Sequence, residues 1–381
     1  MMLKTVAVVI GVLIFLFALG IASFLAYRYY GNRNVKDTKN LEEIVGRIGD
    51  DYVNKNGNVG LIVGIVRGDR VFIKGFGKKS KERDDAPDAQ TIFELASIGK
   101  VFTTSAAQIL SDRGEISFDD SIDKYLNPTV KICEKAKNIT LRQLATHTSG
   151  LPSFPESFIP KIKDELNPYK DLTVQDLYDY LATCENLGEV GSFDYSNLGM
   201  GILGHILELK TGKSYETIVK EEIVNRLEMK NTTVTLSAEQ QQKLLAQGYN
   251  EQGNPNPVWE DTVLTGAGSF LSNAEDMTKF IRANFDASRS EISDSLLKTH
   301  EKQAGGETGL GWHYYSRFFA LLTDEENVIW HNGGAGGYAS FMAINKKTKN
   351  GVIVLSNTTD DVTMLGTRLN FSAKNISFSD E

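Results

Sequence analysis

The strand-forming segments of this chain lie at its two ends, with a long helical stretch between them. Near the start, Leu61-Ile-Val-Gly-Ile-Val66 and Val71-Phe-Ile-Lys-Gly-Phe76 are apolar, β-branched runs around Arg67-Gly68-Asp69-Arg70, a hairpin pattern. Near the end, Val328-Ile-Trp330, Tyr338 to Ile344 and Gly351 to Leu355 have the same character, and Asn345 to Gly351 supplies a turn. Between about 97 and 304 the periodicity is helical, over Val101–Arg113, Leu141–His147, Val174–Cys184, Leu198–Thr211, Tyr215–Leu227 and Asn273–Asn284. The simplest packing joins the early and late strands in one antiparallel sheet. Helices at Leu41–Val53 and about Asp360–Asn370 would cover one face, and the central helices would form a second lobe. The expected fold is therefore α/β of the α+β kind, with a cleft between the lobes. The triplet Arg67-Gly68-Asp69 is read as turn chemistry rather than as an adhesion motif.

Before this body comes Val6 to Ala26, a run with no charged residue. A helix of about 20 apolar residues spans a bilayer core, whereas the apolar part of a signal peptide usually runs about 7–15. The run is read as a transmembrane anchor, with a cleaved signal sequence as the alternative, following a short tip at residues 1–5. Residues 27–40 form a polar linker. Lys4 precedes the run, and Arg28, Arg33, Lys36 and Lys39 follow it, a distribution that on its own favours a cytoplasmic body. Residues 41–371 are expected to form one catalytic unit, and 372–381 a polar tail. The formal net charge is −8 without a basic tract, which argues against a nucleic-acid partner. With only 2 Cys the chain is not a disulfide scaffold, and Cys133 and Cys184 are compatible with one bridge or with two separate thiols.

Three segments carry candidate chemistry. In Phe93-Glu-Leu-Ala-Ser-Ile-Gly-Lys-Val-Phe-Thr103, Ser97 opens a helix and Lys100 stands one turn on, on the same face. A buried Lys loses its proton readily, which makes it a base able to activate a hydroxyl. Ser121–Lys124 and Ser295–Lys298 share the spacing but sit in polar surroundings suited to caps and surface lysines. In Tyr195-Ser196-Asn197, a phenol can relay protons and an amide can orient a substrate, or the segment is simply a helix cap with a core Tyr. In Trp330-His-Asn-Gly-Gly-Ala-Gly-Gly-Tyr338, glycines at the end of a strand permit close backbone approach by a ligand, or mark a flexible turn.

Taken in this order, Ser97-x-x-Lys100, Tyr195-Ser196-Asn197 and His331-Asn332-Gly333 resemble the penicillin-recognising serine hydrolases. The branch is that of the class C β-lactamases, their D-alanyl-D-alanine carboxypeptidase/endopeptidase relatives and related esterases. Thr146-His-Thr-Ser-Gly-Leu-Pro152, Thr265-Gly-Ala-Gly-Ser-Phe-Leu-Ser272 and Gly309-Leu-Gly-Trp312 are similar as well, so the likeness runs from about Leu41 to Asn370. The resemblance implies a β-lactamase/transpeptidase-like fold with Ser97 as the acylated nucleophile. Lys100 and Tyr195 would share proton transfer, and Asn197 would hold the substrate amide. His331 would stand on the substrate-carboxylate side, followed by Asn332 and Gly333. The N–H groups of Ser97 and Gly334 would form the oxyanion hole. No cofactor or metal is expected. The implied substrates are small peptides ending in D-amino acids, β-lactams or esters, and those of the cell wall would place the body outside the cytoplasm. A catalytically silent or filament-forming scaffold is the rival of another class.

His331 and Asn332 replace the Lys and Thr of the β-lactamases. A largely neutral imidazole binds a carboxylate less strongly than a fixed cation, which favours a peptidase or esterase. Lys210-Thr211-Gly212 closes a helix and is read as a stop. Gly199-x-Gly201-x-x-Gly204 is read as close helix packing, because no clear strand precedes it. His147, His205, His300 and His313 show no metal-ligand spacing and are read as structural or surface residues.

Overall fold

The computed structural model describes residues 40–376 and 378, apart from 56, 261 and 304–306. The run Val6 to Ala26 and the linker after it lie outside these. Among the described residues no helix is long and apolar enough to cross a membrane.

The expected sheet is present, and it is assembled from both ends of the chain. Its six strands are antiparallel: β1 (Gly60–Arg67), β2 (Arg70–Gly77), β7 (His313–Tyr314), β8 (Val328–Gly334), β9 (Ala339–Asn345) and β10 (Asn350–Ser356), in the order β2-β1-β10-β9-β8-β7. The link between the two ends is the β1–β10 ladder, with Leu61 opposite Ser356 and Arg67 opposite Asn350. The hairpin reading of Arg67 to Arg70 holds, with Gly68 in the left-handed region at φ 59°. Short strand pairs outside the sheet, β3 (Ile92–Glu94) with β6 (Leu271–Asn273) and β4 (Gly248–Tyr249) with β5 (Pro255–Asn256), were not legible as strands in the sequence.

Both faces of the sheet are buried, which is why its central strands read as near-continuous apolar runs. Leu61, Val63, Ile65, Phe341, Val352 and Val354 project to one face. There they meet α1 (Leu41–Val53) through Leu41, Ile44, Val45, Ile48 and Tyr52, a stripe at helical spacing. Asn40 caps this helix by accepting the Glu42 N–H. Ile62, Met342, Ile344, Ile353 and Leu355 project to the other face and belong to the core of the helical lobe. At the centre of that lobe is α2 (Gly99–Asp112), buried from Gly99 to Leu110, with Phe102 stacked on Phe270 and Phe280 at 5.1 and 4.6 Å between ring centroids. Around it lie α3 (Val174–Thr183), α4 (Asn197–Thr211) and α5 (Ala274–Ala283).

The last helix, α6 (Thr363–Asn375), begins later and ends later than the sequence suggested. Residues 372–375 are therefore helical rather than part of a polar tail, because Ala373, Ile376 and Phe378 still reach the apolar cluster under α1. Gly212 ends α4 in the left-handed conformation at φ 69°, the stop expected of it. The Gly199-x-Gly201-x-x-Gly204 spacing is close packing: a Cβ on Gly201 would stand 2.6 Å from Leu264, and one on Gly204 3.0 Å from Gly266. Ser295 and Lys298 both bond Asp112 at the surface.

Cys133 and Cys184 form a disulfide, with Cα atoms 6.1 Å apart across a separation of 51 residues. Closing a loop of that length stabilises a fold by about 4 kcal/mol in the chain-entropy estimate. Replacing both cysteines by Ala is expected to remove a stabilisation of that order, read as a lower denaturation midpoint in urea. An unchanged midpoint would show that the bridge contributes nothing.

Candidate active site

The nucleophile candidate sits at a strained turn. Ala96, Ser97 and Ile98 form one 3₁₀ turn that leads into α2, and Ala96 has φ 47°, a left-handed conformation costing a non-glycine residue roughly 1–2 kcal/mol. Its neighbours hold it there. Leu95 N–H donates to Phe270 O at 2.7 Å, and the Ser340 hydroxyl donates to Leu95 O at 2.7 Å. Lys100, one turn along and 0% exposed, points Nζ back at Ser97 Oγ at 3.0 Å and also donates to the Ala267 carbonyl. The ring of Tyr195 lies 4.9 Å from the same Nζ, and its hydroxyl bonds the Ser97 side chain. Burial pushes the phenol pKa up, and the bond with Ser97 only partly opposes this. Tyr195 therefore rests as a protonated phenol, and Lys100 Nζ is the nitrogen in contact with Ser97 Oγ.

Tyr195 reaches this position because Ser196 caps α4. The Ser196 hydroxyl accepts the Gly199 N–H at 2.8 Å and donates to Pro152 O at 2.9 Å. The cap reading of the segment holds, and the cap places Tyr195 beside Ser97. Asn197 begins α4, lines the cavity beside Ser97 and donates from Nδ2 to Ser153 Oγ at 3.0 Å. Gly334 lines the same cavity, and a Cβ there would meet nothing within 4 Å. Gly333 is different: a Cβ would collide with the Leu95 carbonyl and Ser340 Oγ and would stand 3.0 Å from Ser97 N. Strand β8 can lie this close to the Ser97 turn only with glycine at that position.

The third motif is divided by the strand it sits on. The sequence suggested a strand ending at Trp330, but β8 runs on to Gly334, so side chains alternate through the motif. Asn332 faces α6 and donates to Thr363 Oγ1 at 2.9 Å, away from Ser97. His331 faces inward but is only 1% exposed and does not line the cavity. Its Nδ1 lies 2.6 Å from the Asn332 carbonyl, so Nδ1 carries the proton and Nε2 is bare. Of the expected site residues, Ser97, Lys100, Tyr195, Asn197, Gly333 and Gly334 converge at one place. His331 lies behind them, and the Asn332 side chain leaves the site.

Two histidines read as structural or surface residues are part of this wall. The rings of His147 and His313 lie 4.4 and 6.1 Å from Tyr195, and His313 lies 4.8 Å from His331. His147 Nδ1 accepts the Ser196 N–H at 3.2 Å, which puts its proton on Nε2. Burial, with the nearby Lys100 cation adding to it, holds His147 and His331 well below the ordinary histidine range and takes His313 down to about 4. His300, also buried, is displaced the same way. All four are neutral at pH 7. The cavity is completed by Glu94, Tyr169, Trp259, Leu264, Gly268 and Ser269. Glu94 is 2% exposed and accepts the Trp259 N–H at 3.3 Å. Among the described residues no His, Cys, Asp and Glu cluster is arranged to hold a metal ion.

These histidines bind fewer protons folded than unfolded between about pH 4 and the reference value near 6.5. Their stabilisation is present above pH 6.5 and is lost as pH falls through that window. Glu325, pushed up to about 7 by burial, works in the opposite direction but is outnumbered. The melting temperature is expected to fall steadily from pH 6.5 to 4.5. A flat or rising Tm over that range would contradict the neutral-imidazole wall.

Comparison with known proteins gives one consistent result. Residues 45–371 match the family described as Beta-lactamase. The D-alanyl-D-alanine-carboxypeptidase/endopeptidase AmpH of Escherichia coli K12 is 26% identical over 331 residues, 82% of this chain and 83% of AmpH. Protein flp of Staphylococcus aureus MW2 is 27% identical over 332 residues, 84% of this chain but only 64% of flp. Among solved structures, a class C β-lactamase superposes with a TM-score of 0.74 at 23% identity, covering 87% of this chain and 96% of that one. A β-lactamase/D-alanine carboxypeptidase from Pseudomonas syringae gives 0.72 at 22%, covering 88% and 98%. The expected β-lactamase/transpeptidase-like α+β fold is thereby established.

Proposed function

Because the chain belongs to the Beta-lactamase family and is a serine hydrolase of that family, we propose that it works through an acyl-enzyme on Ser97, most directly on peptide bonds that follow a D-amino acid. The observation that carries this reading is the contact of Lys100 Nζ with Ser97 Oγ at 3.0 Å, made inside the core beside a protonated Tyr195. In the reacting form Lys100 has given up its own proton, and its amine takes the Ser97 proton as Oγ attacks the substrate carbonyl. Tyr195 gives its own proton to the departing amine and regains one from Lys100. The N–H groups of Ser97 and Gly334 receive the negative oxygen, donors fixed before the reaction begins. Water then attacks the ester carbonyl along the reverse proton path and frees Ser97. The carboxypeptidase/endopeptidase named for the E. coli relative supports the peptide reading. The buried, neutral third-motif His331 supports ester hydrolysis at the same site as a second reading, over β-lactam cleavage.

The proposal extends to location. The uncharged run Val6 to Ala26 would anchor the chain in a membrane, with the catalytic body on the extracytoplasmic side where cell-wall peptides lie. The Cys133–Cys184 bridge supports this, since such bonds persist mainly in oxidising compartments. A reporter fused after Glu381 that is active only outside the cytoplasm tests it, and a silent, well-expressed fusion would refute it. The activity is tested by incubating the protein with a D-alanyl-D-alanine peptide, a short-chain ester and a cephalosporin. No turnover of any of them would support a silent scaffold.

A further inference from the structure

Building on the acyl-enzyme reading, we propose that the site selects acyl donors whose leaving group carries no carboxylate beside the scissile bond, so that internal peptide bonds and neutral esters are preferred to a C-terminal D-amino acid. Both side chains of the third motif that could meet such a carboxylate are withdrawn from it. His331 is 1% exposed and commits its N–H to its own strand, through the Asn332 carbonyl. Asn332 points to the opposite face of β8 and is held there by Thr363. Lys100, the cation nearest the nucleophile, is itself fully buried, between Ser97 Oγ and the Ala267 carbonyl.

The cavity adds a repulsive element. Of the described side chains that line it, none is basic and Glu94 is the one acidic residue, buried with its oxygen against the Trp259 backbone N–H. A substrate carboxylate entering beside Ser97 would lose water, meet no basic side chain in the lining and approach the acidic side chain of Glu94, all unfavourable. The three imidazoles behind Tyr195 cannot compensate at neutral pH, because burial keeps them uncharged. A neutral leaving group meets none of these penalties. Tyr169 and Trp259, edge to face at 5.1 Å between centroids, offer it an aromatic wall instead.

The test uses the full chain and two peptides that differ at one atom pair, an N-acylated D-alanyl-D-alanine and the same peptide ending in D-alaninamide. Release of D-alanine and of D-alaninamide is followed by mass spectrometry, with a fluorophosphonate probe reporting whether Ser97 is reactive. The amide is expected to show a kcat/KM about tenfold above the acid, and Glu94→Gln is expected to narrow the gap by raising turnover of the acid. A ratio below three, or a preference for the acid, overturns the proposal while leaving the serine-hydrolase reading intact. Failure of the probe to label Ser97, with neither peptide cleaved, overturns the underlying reading and this one with it.

Discussion

In a Ser97→Ala protein, exposure to a fluorophosphonate probe is expected to leave the intact mass unchanged, while the parent chain gains one adduct. The probe forms an Oγ–phosphorus bond and expels fluoride, so it reports the nucleophile without assuming a substrate. Hydrolysis of whichever donor the parent turns over should fall on the order of 10⁴-fold or more, as when a serine nucleophile is removed elsewhere. Folding is not expected to suffer. The side chain is small, and the turn around it is held through the Leu95 backbone, whose N–H donates to Phe270 O and whose carbonyl accepts the Ser340 hydroxyl. An adduct of equal mass and yield on the Ala variant would place the nucleophile elsewhere and end the assignment.

The second large effect is expected at Lys100. Lys100→Met keeps most of the side-chain volume and deletes the amine that contacts Ser97 Oγ. Loss of a positioned general base costs roughly 10²–10⁴ in rate. The Tm should move by only a few degrees, because deleting a buried ammonium offsets the loss of its bond to the Ala267 carbonyl. The two readouts together discriminate. A collapse in Tm would make Lys100 a structural residue, and an unchanged rate would pass its role to Tyr195. If Lys100 is the base, the variant should also lose fluorophosphonate labelling rate while Ser97 remains chemically present.

Much of this was legible because it is local. The Ser97-to-Lys100 spacing puts both residues on one face of one turn, and Ser196 is a cap whose neighbour must point back across the helix start. The terminal strands were legible from composition, and their union in one antiparallel sheet was the simplest packing of β-rich segments at the two ends of the chain. The orientation of the third motif was not legible, because it depends on parity. Reading β8 to Trp330 instead of Gly334 hides the fact that successive side chains go to opposite faces, so His331 and Asn332 look equivalent on paper. The cavity wall was hidden for another reason. Tyr169 and Trp259 lie in irregular segments with no period, and only tertiary packing brings them to Ser97. The adjacent segments quoted from the sequence did contain a signal, since His147 lies inside Thr146 to Pro152 and His313 directly follows Trp312.

The sheet that joins the two ends of the chain also sets when this protein can exist. A growing polypeptide displays Ser97 and Lys100 long before β10 has been made, yet β1, paired early with β2, has its second neighbour only in β10, and Gly334 comes from nearly as late. Pairing at such sequence separation forms slowly and leaves apolar edges waiting. The nascent chain must therefore be kept from aggregating, by a chaperone or by passage in an unfolded state, until synthesis is almost complete. Premature termination anywhere before Asn350 should yield a product that is degraded, with no partial activity to be found.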